Sequence, residues 1–256
     1  VSDIAGGQHY SAERFARAAA GLAGARVRPF EVWLGPWTLR SDGEFFPLVL
    51  EAKDADFGLS LQLQAGDKPM VLQGERGLSR KSATPGNASY YYSFTRLPTT
   101  GEVRIGDTGY RVQGNSWMDR ECSSSALDRD QSGWDWFALQ LDDGRELMFY
   151  QLRTRKGKMH AFSRGVLVGK AGNVHHLSPD DVTLVPLRDW LSDDGTAYPV
   201  EWRLQVPGQE LDLEVQASLD DQLMDHTVQY WEGAVDVSGS HRGRGYLELS
   251  GYADSP

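Results

Sequence analysis

The chain holds a single cysteine, Cys122, so no internal disulfide can brace it. With no His close in sequence, Cys122 reads as a partly buried small residue rather than a nucleophile. No run of about 18 apolar residues occurs, so no segment reads as a membrane-spanning helix. Basic runs are absent too. The formal net charge is −10, and the densest basic stretch, RTRKGK from Arg153 to Lys158, is short and reads as a hairpin loop. Nucleic acid, whose phosphates need clustered Lys and Arg, is excluded as a partner, and anionic membrane surfaces are disfavoured. Also missing are a GxSxG elbow, a P-loop, a dinucleotide fingerprint, an HxH or HExxH pair and a Cys/His cluster at zinc spacing. His175 and His176 are adjacent, so on a strand they face opposite sides and do not chelate one ion. No cofactor and no metal is expected. The chain opens at Val1 with neither an initiator Met nor a signal peptide, and so reads as a mature or truncated product.

What is present points to β structure. The 256 residues are 40% hydrophobic and 24% charged, enough for one large or two ordinary globular domains. Eight Trp, ten Tyr and nine Phe supply large apolar surface, and 28 Gly with 11 Pro supply turns. One helix is expected, capped by Ser11, running through AERFARAAAGLAG and ended by Gly21 and Gly24. Almost everything after it alternates with period two. In YPVEWRLQV, Tyr198, Val200, Trp202 and Leu204 oppose Glu201, Arg203 and Gln205; in LDLEVQAS, Leu211, Leu213, Val215 and Ala217 oppose their polar neighbours. Eight such strands follow Trp134, separated by turn signals at Asp142-Asp143-Gly144, Lys156-Gly157-Lys158, Lys170–Asn173 and Ser192–Gly195. Eight meandering strands suit a small closed barrel of lipocalin type, holding one small ligand or side chains only. The first half reads as a related barrel lacking some strands. The domains expected are residues 1–128 and 129–256, with the boundary inside the aperiodic segment Cys122–Ser132.

The richest stretch for chemistry is Gly114 to Tyr150, which holds three of the eight Trp. Strand spacing places Trp117, Asp119 and Glu121 on one face. A carboxyl group desolvated by indole and phenol rings is a proton donor, and aromatic faces stabilise a carbocation formed by protonating an alkene. Tyr90, Tyr92, Trp134 and Trp136 suit that setting. The competing reading pairs Asp119 or Glu121 with Arg120 or Arg129 in a structural network. Trp134 and Trp136 share a face, with Asp135 opposite, and serve equally as core plug or ligand wall. Among Tyr90, Tyr91 and Tyr92 at least one faces each side, and a buried Tyr hydroxyl needs a partner such as Asp119. Trp231 is expected inside the second barrel with Glu232 pointing away; Asp221 and Gln222 read as turn residues.

The runs SYYYSFTRL, GNSWMDRE, GWDWFALQLDDGRELMFYQLR, YPVEWRLQVP, DQLMDHTVQYWEGAVDVSG and GRGYLELSGY resemble the AttH/CrtC family of lipocalin-like proteins. Its members include bacterial AttH-like proteins labelled predicted secreted hydrolases and, more distantly, carotenoid 1,2-hydratases, also called hydroxyneurosporene synthases. The resemblance implies an all-β fold of two lipocalin-like antiparallel barrels, the first incomplete here because the family's N-terminal Glu-Trp-Trp-Tyr segment has no counterpart. A separate N-terminal fragment or a second copy in a homodimer is then the expected partner, beside a hydrophobic small molecule. A periplasmic or secreted location is implied. The hydratases protonate an isolated carbon–carbon double bond. Carried over, the acid is Asp119; Trp117 stands where they carry Tyr, and Tyr90 and Tyr92 fall near their His and Trp. The function expected is binding of an isoprenoid, polyene or lipid with cofactor-free, acid-assisted hydration, a hydro-lyase activity. The alternatives are a non-catalytic carrier or transporter accessory, and an interaction module. An enzyme needs Asp119 at a dry pocket, a carrier needs an empty apolar cavity, and an interaction module needs neither.

Overall fold

The computed structural model describes residues 1–41, 43–123 and 127–253. Of the aperiodic segment Cys122–Ser132, residues 124–126 lie outside them. The chain runs through β1 (Ser2–Asp3), β2 (Gln8–His9), β3 (Ala23–Val27), β4 (Phe30–Leu34), β5 (Trp37–Ser41), β6 (Leu48–Lys53), β7 (Phe57–Leu63), β8 (Val71–Leu72) and β9 (Leu78–Arg80). Two long strands follow, β10 (Ala88–Ile105) and β11 (Thr108–Ser123). Then come β12 (Gln131–Leu141), β13 (Glu146–Thr154), β14 (Arg164–Val168), β15 (Val174–Leu177), β16 (Thr183–Leu191), β17 (Ala197–Val206), β18 (Leu211–Ala217), β19 (Leu223–Asp225), β20 (Gln229–Gly239) and β21 (Gly243–Ser250). The fold is all-β and antiparallel, as its alternation requires. No helix among the described residues is long and apolar enough to cross a membrane.

Two compact units emerge. One comprises Val1, Tyr10–Pro69 and Phe94–Met118; the other comprises Ser2–His9, Met70–Ser93 and Asp119 onward. The first is a sheet ordered β11-β10-β7-β6-β5-β4-β3. Its core is small. Leu48, Leu63 and Leu97 are buried, with Phe30, Phe45, Phe46, Phe94 and Met118 packed around them. Phe45 centres an aromatic cluster, 5.0 Å from Phe30, 5.0 Å from Phe46 and 5.8 Å from Phe94 between ring centroids.

The expected helix is not formed. Residues 11–17 are irregular, and Ala23–Val27 forms β3 instead. Ala-rich propensity alone does not hold a short helix in water; an apolar face must be buried. This segment has none to bury, since Phe15 is 74% exposed and Leu22 is 55% exposed. Gly24 serves β3 by fitting against the Trp33 ring, where a Cβ would fall 2.4 Å from the indole. SYYYSFTRL and GEVRI, separate by pattern, are one strand, β10, that continues through Pro98.

The second unit carries the larger core. Its main sheet is ordered β15-β14-β13-β12-β21-β20-β18-β17-β16. Residues from strands at both ends meet in one cluster, with Leu177 on β15 inside it and Leu184 and Trp190 on β16 packed against it, so the sheet curls on itself as in a β-barrel. Phe137, Leu139, Phe149, Leu204, Leu213, Trp231 and Leu247 fill its interior. Expected turns at Asp142–Gly144 and Ser192–Gly195 form, with Gly144 and Gly195 in the left-handed region that favours glycine. Gln222, read as a turn residue, is fully buried instead. Its amide donates to the Leu219 and Ala234 carbonyls and accepts from the Ala234 N–H, and it occupies the space left by the missing side chain of Gly233. Cys122, read as partly buried, is exposed.

One charge sits inside the curled sheet. A bulge between Gln131 and Gly133 sets the register of β12, and Asp135 then points inward with Phe137 and Leu139. Its carboxylate is fully buried and paired to Arg153. It also accepts from Gln151 at 2.8 Å and from the Tyr252 hydroxyl at 2.8 Å, while the Arg153 guanidinium lies 3.9 Å over the Tyr252 ring. Arg153 closes the network by donating to the Ser250 carbonyl. Removing one partner of a buried pair leaves the other charge unpaired. Asp135→Ala is therefore expected to cost about 3–5 kcal/mol in urea unfolding; a loss below about 1 kcal/mol would show that the network adds nothing to stability.

Candidate functional site

Period-two alternation fixes what lies on the other side of this sheet. With Phe137, Leu139, Phe149, Trp231, Leu247 and Leu249 committed to the core, Trp134, Trp136, Tyr150, Tyr230, Glu232, Tyr246 and Glu248 must point outward. Register then aligns four of them in one row across four strands. Trp136 stands opposite Tyr150 across β12–β13 and opposite Glu248 across β12–β21. Glu248 in turn stands opposite Glu232 across β21–β20.

This outward face is not simply wet. Tyr150 is 4% exposed, and Glu232, Glu248, Trp134 and Trp136 are all partly buried. Residues of β10, β11 and the 79–91 segment of the same unit contribute the remaining polar groups. The Tyr91 hydroxyl donates to Asp119 Oδ2 at 2.5 Å, and Trp136 Nε1 donates to the Tyr91 oxygen at 3.1 Å. An indole–phenol–carboxylate chain thus runs from the sheet to Asp119. Burial, reinforced by the charge of Asp119, holds the Tyr91 phenol well above its ordinary pKa, so it remains a donor.

Glu121, two residues on, is neutralised differently. Lys81 Nζ lies 2.8 Å from its Oε1, and the Ser89 hydroxyl donates to the same oxygen. Lys81 itself is buried between aromatic faces, 4.0 Å from the Tyr150 ring centre and 5.4 Å from that of Tyr91. Tyr150 is anchored by a 2.9 Å hydroxyl contact to Ser79.

Among the described residues Glu248 has no cationic partner of this kind. Trp134 Nε1 donates to its Oε1 at 2.5 Å, and the Tyr246 hydroxyl donates to Glu232 at 3.1 Å. The Trp134 and Tyr230 rings stack obliquely, 6.0 Å apart. Burial, and after it the charge of Glu232, raises the Glu248 carboxyl to about 7, against the pull of the indole hydrogen bond. Burial also raises Glu232. Like charges directly opposite on neighbouring strands are unfavourable, so the pair favours holding a proton.

The sequence-predicted residues divide. Asp119, Glu121, Trp134 and Trp136 come together in this cluster. Trp117 precedes Asp119 on the same face of β11 and is half-buried. Tyr90 is 74% exposed, and Tyr92 is half-buried; alternation puts both on the face of β10 opposite Tyr91. Tyr91 is the tyrosine that meets Asp119. The structural reading that paired Glu121 with an arginine finds a lysine, Lys81, in that place. Glu248, Lys81 and Ser89 carry no such signal in the sequence. Glu248 falls on the polar half of the alternating GYLELSGY, where solvated residues are the rule.

The fold and the site define a lipocalin-like, all-β protein whose filled second barrel presents a carboxyl–aromatic cluster on its outer face. The chain belongs to the AttH-like family, whose model matches residues 1–252. It is similar to an AttH protein from Nitrosomonas europaea, at 33% identity and a TM-score of 0.88 over 98% of this chain and 79% of that one. It also resembles kievitone hydratase from Nectria haematococca, at 16% identity and a TM-score of 0.71 over 87% of this chain and 70% of that one. That second likeness is one of fold alone. No curated protein matches the chain.

The raised Glu248 makes a stability prediction. A carboxyl whose pKa rises on folding, here from 4.5 to about 7, binds its proton more tightly in the folded state. The folded state then loses stability relative to the unfolded one as pH climbs from the lower value through the higher. Glu248→Gln removes this slope and is expected to exceed the parent chain by about 3 kcal/mol at alkaline pH, the gap closing near pH 4. Urea unfolding across that range checks it; a gap that does not vary with pH would contradict it.

Proposed function

We propose that this protein binds a hydrophobic small molecule of isoprenoid, polyene or lipid character against Trp136 and adds water to one of its carbon–carbon double bonds without a cofactor. The observation that carries this reading is the chain from Trp136 through Tyr91 to Asp119, which holds a carboxyl group against indole and phenol rings. Hydration needs a group that gives a proton, a group that takes one, and surroundings that tolerate a cation. Carboxyl groups supply the first two. Aromatic faces supply the third, because their quadrupoles attract positive charge. The hydratase among the fold relatives supports the reaction class, and the packed interior of the second sheet favours a ligand on its outer face over one carried inside.

Asp119 is the carboxyl at the reacting centre in this reading. Asp119→Asn preserves shape while removing proton-transfer capacity. It is expected to lower hydration of an acyclic isoprenoid alkene by about 10²–10⁴-fold, with ligand binding, followed by quenching of tryptophan fluorescence, changed little. A variant that hydrates as fast as the parent would overturn the assignment. A variant that loses binding or folding instead would make Asp119 structural.

A further inference from the structure

Four carboxyl groups share this cluster, and their partners differ in a way that assigns them roles. Glu121 is occupied by Lys81 and Ser89. Asp119 accepts a hydrogen bond from the Tyr91 hydroxyl, whose own proton is held firmly by burial. Glu232 lies one strand further from Trp136 and accepts from Tyr246. Glu248 stands directly beside Trp136 in register, is held by the Trp134 indole N–H, and faces Glu232 rather than a cation.

We propose that Glu248 is the proton donor and Asp119 the proton acceptor of the hydration, acting on a branched alkene that lies along Trp136 between them. This division rests on the hydration reading above. The Glu248 O–H bond breaks, and its proton forms a C–H bond with the less substituted alkene carbon, using the π pair. The tertiary cation left behind is the most stable that an isoprenoid alkene can give, and the Trp134 and Trp136 faces border it. A water oxygen then forms the C–O bond, and its spare proton passes to Asp119. Return of that proton to Glu248 through water restores the site, so the sum is alkene plus water to tertiary alcohol.

The surrounding groups fit the division. Glu232 from β20 faces Glu248, as do Asp119 and Glu121 from β11, all of one sign; Lys81 compensates Glu121, and Tyr91, Tyr230 and Tyr246 are neutral phenols. Burial holds Glu248 protonated up to about 7, as a donor at neutral pH requires. Removing the proton from Glu248 would add a further negative charge to an already acidic neighbourhood.

The test is the rate of incorporation of isotopically labelled water into a trisubstituted acyclic isoprenoid alkene, from about pH 5 to about pH 9. It compares the parent chain with E248Q and D119N, using quenching of tryptophan fluorescence to check binding. In the parent chain the rate should fall at high pH as Glu248 ionises. E248Q should lose about 100-fold or more in rate and lose that alkaline limb, while binding persists. E248D should recover part of the rate, because it restores a carboxyl. An E248Q rate and alkaline limb like the parent's, with D119N still inactive, would overturn the division and leave hydration standing. If the parent chain incorporates no label into any branched alkene it binds, the hydration reading fails, and the division with it.

Discussion

The structure depends on a strand's period of two, pinned by a core that fills one side of a curled sheet. Once Phe137, Phe149, Trp231, Leu247 and Leu249 are inside, no freedom remains for Trp136, Tyr150, Glu232 and Glu248. They must stand outside, and the antiparallel registers align them across β13, β12, β21 and β20. A slip of one residue would carry every one of these side chains to the opposite face. The bulge at Gly133 and the Asp135–Arg153 pair hold β12 in the register that makes the site possible. Packing therefore sets the placement: the filled sheet is a solid support, and the carboxyl–aromatic cluster lies on its outer face.

The electrostatics follow from that placement. Carboxyl groups on an open sheet face would be hydrated and ionised. Here aromatic rings take much of the water's place, and each acid settles according to the partner it finds. Lys81 pairs with Glu121, the Tyr91 hydroxyl donates to Asp119, and the facing Glu248 and Glu232 accept hydrogen bonds from indole and phenol donors. Burial and the facing Glu232 push Glu248 towards its protonated form.

Much of the fold was legible in the sequence because the strands alternate so regularly. Trp231 inside and Glu232 outside, and Trp134 and Trp136 sharing a face opposite Asp135, all follow from spacing alone. No helix starts at Ser11 because the Ala-rich segment, strong in propensity, has no apolar face to bury. Gln222 was misread because a polar residue in a loop looks like a turn, and its fit against Gly233 is a tertiary fact. The candidate site was half legible. Trp117, Asp119 and Glu121 advertise themselves by clustering. Glu248 does not, since alternation tells which way a side chain points but not whether that side meets water. The choice among Tyr90, Tyr91 and Tyr92 turns on the phase of β10 relative to β11, which sequence spacing cannot supply. The family resemblance led to the neighbours of Tyr91 rather than to Tyr91 itself.

The most direct test of the account is a crystal structure of the protein grown with a branched acyclic isoprenoid alkene. The account predicts ligand density lying along the Trp136 ring, with Asp119 and Glu248 on either side of one double bond and the interior of the second sheet still filled by its own side chains. Density inside that sheet among Phe137, Leu204 and Trp231, or bound remote from Trp136, would contradict it.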